Sequence, residues 1–200
     1  MTSDHYYTAQ PASAHAPGLV TIFCGGRQLH CETDAGVFSK TRLDPGTALL
    51  LDALPEDLAG PVLDLGCGWG PVGLWVACQR PGARLTCCDI NARALDLARR
   101  NFARNGLDAT FVLGDGLDNV PETFAWVLTN PPIRAGKAVI YRLFAQARQR
   151  LLPGGSLYAV IRKQQGAPSA LAYLRGLFGD ARVVSRGGGY WVIRAGTPSV

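Results

Sequence analysis

Apolar and polar positions change rhythm at Pro61, and from there the chain alternates regularly between two patterns. Short apolar runs at 62–65, 84–89, 110–113, 125–129 and 156–161 predict strands. Helices are predicted between them at 71–79, 138–151 and 167–178, and another follows Asn91, where Leu95, Ala98 and Phe102 fall on one face. Pro71 suits a first helical turn, where a missing N–H costs nothing. Pro81-Gly82, Asn105-Gly106 and Pro153-Gly154-Gly155 punctuate the units. Two last runs, 183–185 and 190–194, are joined through Gly187-Gly188-Gly189 and predict an antiparallel hairpin at one edge. Strands alternating with helices imply parallel pairing and right-handed crossovers. The expected fold is therefore α/β, a mostly parallel sheet with one antiparallel strand near its end.

Ahead of Pro61 the rhythm differs. Runs at 19–23 and 28–32 flank Gly25-Gly26-Arg27, a hairpin signal. Residues 36–47 read as a loop and 48–54 as a short helix stopped by Pro55. Residues 1–18 have no clean period and carry Tyr6-Tyr7. We expect an N-terminal extension over 1–35, built on the hairpin, and a cofactor-binding domain over 36–200.

Composition narrows the class. A chain of 200 residues, 48% hydrophobic, is long enough for one domain with a real core and argues against extensive disorder. No apolar run approaches the roughly 20 residues of a membrane span. The start is polar, with Asp4 and His5, and lacks the layout of a signal peptide. A cytoplasmic protein without membrane contact is expected. None of the six cysteines forms a C-x-x-C pair, so buried, reduced thiols and no metal site are expected. The net charge of +5, mostly from arginine, suits a nucleic-acid partner.

The candidate chemistry begins at Val62-Leu63-Asp64-Leu65-Gly66-Cys67-Gly68-Trp69-Gly70-Pro71. A strand that turns into a helix through Gly66, Gly68 and Gly70 leaves room for backbone to approach a ligand. The spacing is G-x-G-x-G, not the dinucleotide G-x-G-x-x-G. Asp64, an acid inside an apolar strand, needs a partner: an amide of the turn or, through water, a ligand ammonium. Asp89 ends the next strand, where it suits ribose hydroxyls; its plainer role is a helix cap. Asp115, between Gly114 and Gly116, can accept from the amine of adenine or simply belong to a turn. No lysine stands in a phosphate-cradling position. Together the three acids describe a site for a nucleoside with a cationic tail.

A second motif, Asn130-Pro131-Pro132, follows the fourth regular strand. The prolines stiffen the loop and withhold N–H groups. The Asn130 carboxamide oxygen and the Pro131 carbonyl can accept from one planar NH2 group and aim its nitrogen at an electrophile. A rigid loop stop is the plainer reading.

Asp64-Leu65-Gly66-Cys67-Gly68-Trp69-Gly70, Asp89, Asp115 and Asn130-Pro131-Pro132 resemble the ordered motifs of S-adenosylmethionine-dependent methyltransferases with a Rossmann-like sheet. The resemblance implies strand order 3-2-1-4-5-7-6 with strand 7 antiparallel, and S-adenosylmethionine as cofactor. It implies that Gly66, Gly68 and Gly70 line the methionine moiety beside Asp64 and Cys67. Asp89 would meet the ribose and Asp115 the adenine amine, with Ile90 and Gly116 adjoining them. A wider set of motifs narrows the likeness. His5-Tyr6-Tyr7, Gly36-Val37-Phe38-Ser39, Leu43-Asp44-Pro45-Gly46-Thr47, the stretch from Asn130 to Lys137 and Gly188-Gly189-Tyr190 are similar to the small-methyltransferase domain of ribosomal RNA guanine-N2 methyltransferases. That likeness implies Phe38 and Thr47 near the methionine end of the cofactor, and RNA as substrate.

Many methyltransferases with this motif carry an aromatic residue after the second proline, where this chain has Ile133. Stacking on the target base then falls to Phe38, to Tyr190 or to apolar contact. Lys40, Arg42, Arg134 and Lys137 are candidates for phosphate contacts, or plain surface charges. Long bacterial members carry a second, degenerate copy ahead of the active domain; these residues hold one copy, so the RNA target is not inherited from them. Adenine N6 and protein glutamine remain alternative acceptors, and a non-catalytic cofactor- or RNA-binding module is the alternative of another class.

Overall fold

A computed structural model describes residues 14–39 and 41–198, so the Tyr6-Tyr7 stretch and Lys40 lie outside the described residues. Strands β1 (Gly18–Cys24) and β2 (Arg27–Thr33) form a two-stranded antiparallel sheet. Gly25 and Gly26 make the turn at φ 55° and 76°. A two-residue turn with both φ positive matches the twist of its strands and favours glycine. Arg27, expected in the turn, instead pairs with Cys24.

The main sheet holds β3 (Gly60–Leu65), β4 (Ala83–Asp89), β5 (Thr110–Leu113), β6 (Phe124–Thr129), β7 (Leu151–Arg162), β8 (Asp180–Gly187) and β9 (Tyr190–Gly196). Their order is β5-β4-β3-β6-β7-β9-β8. Counted from β3, this is 3-2-1-4-5-7-6. β9 runs antiparallel to both neighbours, and the other pairings are parallel. The expected α/β fold of Rossmann-like methyltransferase type is the one observed.

Helices α1 (Pro45–Asp52), α2 (Pro71–Gln79), α3 (Ala92–Arg104), α4 (Lys137–Arg150) and α5 (Ala167–Phe178) complete two layers around the sheet. Successive strand residues point to opposite faces. Val62, Leu128 and Val160 join the core under α1, α2, α3 and the hairpin. Leu63, Val127 and Ala159 join the one under α4 and α5.

Five elements differ from expectation. α1 begins at Pro45 because Asp44 caps it, so Pro45-Gly46-Thr47 is a helical turn. β7 starts directly after α4, with Pro153-Gly154-Gly155 inside the strand beside a register shift at Phe124/Trp126. There Pro and Gly mark an irregularity in pairing rather than a helix stop. β8 extends to Asp180 and Gly187, and its exposed Asp180, Arg182 and Arg186 hide it from an apolar-run reading. Short 3-10 turns form at Ile133–Ala135 and Lys163–Gln165.

The hairpin is joined to α3 by two asparagines one turn apart. Asn101 donates to the Glu32 carbonyl at 2.9 Å and accepts from the Glu32 amide at 2.7 Å. Asn105 does the same for His30 at 3.1 and 3.0 Å. Their carboxamides thus pair with a free strand edge as another strand would. Asn101 also donates to the Trp69 carbonyl at 3.0 Å, which couples the hairpin to the glycine turn.

Candidate active site

Beyond β3 the chain runs outward through β4 and β5 on one side, and through β6 and β7 on the other. The crevice at this switch point, at the carboxyl ends of the strands, is where such sheets bind ligands. Here it opens into a cavity of about 430 Å³ lined from β3, β4, β6, the 37–39 loop and Tyr190.

Backbone and side chains fix its floor. Gly66 and Cys67 donate to the Cys88 carbonyl at 2.8 and 3.0 Å. The Thr129 hydroxyl donates to the Leu65 carbonyl at 2.8 Å, which holds Asn130 beside the turn. Gly66 and Gly68 have φ 73° and 57°, and a Cβ on either would meet nothing within 4 Å. Their shape requires glycine for backbone conformation and leaves the space above them open.

Asp89 closes the turn from β4. One carboxylate oxygen accepts from the Gly68 amide at 2.7 Å and the other from the Asn91 amide at 2.8 Å. Burial raises its pKa, opposed by the hydrogen bonds of Asn91, Gly68 and Ile90. Asp64 accepts from the Gly73 amide at 2.9 Å. It therefore serves as a remote cap for α2, whose own capping residue, Gly70, has no side chain. Burial pushes the Asp64 carboxyl up to about 7, and the negative charge of Asp89 adds to the rise.

Three hydrogen bonds hold the 35–38 loop against the cavity. They run from Trp69 Nε1 to the Phe38 carbonyl at 3.0 Å, from Asn91 Nδ2 to that of Gly36 at 3.0 Å, and from Arg93 to that of Ala35 at 3.1 Å.

Asn130 sits opposite this loop. Its Nδ2 donates to Asp44 Oδ2 at 3.1 Å and to Thr47 Oγ1 at 3.0 Å. Tyr190 packs on the first turn of α1, where a Cβ on Gly46 would lie 2.7 Å from its ring. Arg162 lies over the Tyr190 ring, 5.4 Å from its centroid.

Most of the residues expected at the site line this one cavity. They include the cofactor candidates Phe38, Thr47, Asp64, Gly66, Cys67 and Gly68. Asp89, Ile90 and Gly116 also line it, as do Asn130, Pro131 and Pro132. Ile133, Arg134 and Tyr190 stand at the same cavity. Four do not line it, among them Arg42, which is exposed. Gly70 faces α3, with Ala98 and Phe102 each 3.3 Å from where its Cβ would be. Asp115 is drawn into an ion pair with Arg142 at 2.7 Å. Lys137 opens α4 on the exposed surface. Among the described residues no cluster of His, Cys, Asp or Glu is placed to hold a metal. All six cysteines are free, and burial holds the Cys24, Cys31 and Cys88 thiols up at about 12.

Arg162 and Gln165 line the cavity without having been expected there, and Asp44 and Trp69, which stand inside the quoted motifs, line it without having been given a role. The Asp44-Pro45 start of a helix was readable as a cap signature. Its reach to a residue 86 positions away was not. Arg162 and Gln165 follow the apolar run of β7, where nothing local distinguishes them from surface charges.

The donor set fits a nucleoside with a cationic tail: a glycine cradle without side chains, a half-buried acceptor at Asp89, and a buried acid at Asp64. Comparison with known proteins agrees. The methyltransferase small domain model matches residues 28–194. An uncharacterized Bacillus subtilis protein, YbxB, is 38% identical over 197 residues, covering 96% of this chain and 98% of its own. The ribosomal RNA small subunit methyltransferase C of Pasteurella multocida is 43% identical over 129 residues, covering 62% of this chain and 39% of its own. The 16S rRNA N2 G1207 methyltransferase of T. thermophilus, solved with AdoMet and guanosine, superposes with a TM-score of 0.81 at 26% identity, over 94% of this chain and 52% of that one. The chain thus spans about half or less of these two ribosomal RNA methyltransferases. A family match that takes in the glycine turn, both capping acids and the Asn-Pro-Pro loop places the chain in the methyltransferase small domain family.

Proposed function

We propose that the protein transfers a methyl group from S-adenosylmethionine to an exocyclic amino group of ribosomal RNA, and that this group is guanine N2. The observation that carries the reading is Asn130. Both of its amide hydrogens have acceptors, Asp44 and Thr47, so its carboxamide oxygen is the end turned to a ligand. An oxygen fixed beside the glycine turn suits a donor amine, not an acceptor.

The cofactor supplies an electrophilic methyl on a cationic sulfur. The chain's own residues do the rest. Gly66 and Gly68 admit the cofactor to the backbone. Asp89 offers its carboxylate to ribose hydroxyls, and Asp64 and Asp89 together favour a cationic ligand. Asn130 Oδ1 and the Pro131 carbonyl accept the two hydrogens of the target NH2 and direct its lone pair toward the methyl. They also favour the positive charge that grows on nitrogen as the carbon–nitrogen bond forms and the carbon–sulfur bond breaks. The alkylated nitrogen then loses one proton to water.

Phe38 and Tyr190 flank the same mouth and take the place of the aromatic that Ile133 does not provide. Arg134, exposed at the rim, suits a phosphate contact. RNA as the acceptor is supported by the net charge of +5 and by the names of the half-length relatives. The test is transfer of tritium from labelled S-adenosylmethionine to ribosomal RNA, to ribosomal subunits and to protein fractions. Label is expected in the RNA. Label confined to protein supports amide methylation, and none in any fraction supports a binding module.

A further inference from the structure

The strongest unassigned feature of the site is one buried carboxylate oxygen with two donors from different elements. Asp44 caps α1: its Oδ2 accepts from the Thr47 amide at 2.9 Å, and its own carbonyl accepts from Ala48 at 2.9 Å. The same Oδ2 accepts from Asn130 Nδ2 at 3.1 Å. The Tyr190 ring lies beside this oxygen, since a Cβ on Gly46 would be 2.7 Å from that ring and 2.9 Å from Asp44 Oδ2. Thr47, one turn into α1, adds its hydroxyl to Asn130 at 3.0 Å. A cap alone needs only the first of these contacts.

The chemistry of the donor and acceptors settles which way Asn130 points. A carboxylate has only acceptor oxygens, so the group facing Asp44 is the NH2 of Asn130. Reversing the amide would set oxygen against oxygen. The orientation that leaves Oδ1 toward the cavity is therefore enforced from α1, not chosen by the Asn-Pro-Pro loop itself. The Tyr190 ring packs next to the same carboxylate across Gly46.

We infer that Asp44, with Thr47, is a positioning residue that fixes the carboxamide of Asn130 for methyl transfer; this rests on the reading of Asn130 given above. Asp44 itself touches neither the transferred methyl nor its acceptor. Its effect passes through the orientation of Asn130, and misplacing a reacting group by about 1 Å costs on the order of 100-fold.

Two substitutions separate this role from helix capping. Asp44→Ser keeps a good cap but is too short to reach Asn130. Asp44→Asn keeps both the cap and an acceptor oxygen at that reach. Asp44→Ser is expected to lower kcat about 10- to 100-fold while the Kd for S-adenosylmethionine stays within about 3-fold. Asp44→Asn is expected to recover most of that loss. A second readout does not depend on turnover: the side-chain amide signals of Asn130 in 15N NMR spectra, assigned by their loss in Asn130→Asp. They are expected to move in Asp44→Ser and to stay near their wild-type positions in Asp44→Asn.

Wild-type kcat and unmoved amide signals in Asp44→Ser overturn the inference, because the carboxylate is then only a cap. Equal losses in both variants also overturn it, because the acceptor oxygen is retained in the second. A wild-type protein that methylates no RNA, while its Asn130 signals still respond to Asp44→Ser, overturns the functional reading and supports the clamp.

Discussion

Asp64 is held between two demands. Its single amide partner, Gly73, favours the charged form, and burial disfavours it more, so the carboxyl titrates at about 7. The folded pKa lies above the ordinary carboxyl value. This group therefore favours folding most below about pH 4, and that contribution is lost as pH rises to about 7. A cationic ligand tail reverses the balance by favouring the ionised form. Affinity for S-adenosylmethionine is thus expected to fall as pH drops through about 7, and Asp64→Asn is expected to flatten that dependence. Calorimetric titrations between about pH 6 and 8 measure both. At this scale the sequence was informative wherever function needs an unusual residue in a regular place. An acid in an apolar strand, glycines at a strand end and Asn before two prolines all stand out locally. Asp115 stood out for the same reason, yet its carboxylate meets Arg142, and no pattern in sequence reports a partner 27 positions away.

The elements are joined by contacts that leave little room for change. Gly73 lies where α2 crosses β4, and a Cβ there would sit 2.9 Å from Cys87 Sγ, 3.0 Å from Leu85 Cδ2 and 3.1 Å from Phe102 Cζ. All three neighbours are buried. Gly73→Ala is expected to destabilise the fold by about 1–3 kcal/mol through overpacking, read as a lower urea midpoint with an unchanged slope. The Gly73 amide is also the partner of Asp64, so the same change is expected to weaken cofactor binding. Element types were legible because each strand and helix keeps its period over several residues. Element ends were less so. Pro153-Gly154-Gly155 reads as a helix terminator, but the hydrogen bond of Gly154 to Pro198 and of Thr197 to Gly155 draws it into the sheet. Tertiary pairing of this kind overrides local turn chemistry.

For the molecule as a whole, the alternation of elements made a mostly parallel sheet legible, the order of its strands came only with the family resemblance, and the cavity follows from that order. Asp64 and Asp89 belong to two strands and Asn130 directly follows a third, and parallel topology brings the ends of these strands together at the switch point. The surface around the mouth is a different matter. Arg134 and Arg162 are both exposed at its rim. If Arg134 meets a phosphate, Arg134→Ala weakens RNA binding evenly across sequences and lowers the salt slope of log K by about one. Filter binding over a range of salt concentrations checks this. The RNA that the proposed function calls for was not legible, because backbone contacts carry no sequence information.

The central claim is that the Asn130 amide directs methylation of guanine N2. The most direct measurement is mass spectrometry of nucleosides from ribosomal RNA, first treated with the protein and S-adenosylmethionine, using RNA from a strain in which the corresponding gene is deleted. The expected result is N2-methylguanosine at one position, absent before treatment and absent when Asn130→Ala replaces the wild-type protein. A methyl group on another atom, or full methylation by Asn130→Ala, contradicts it.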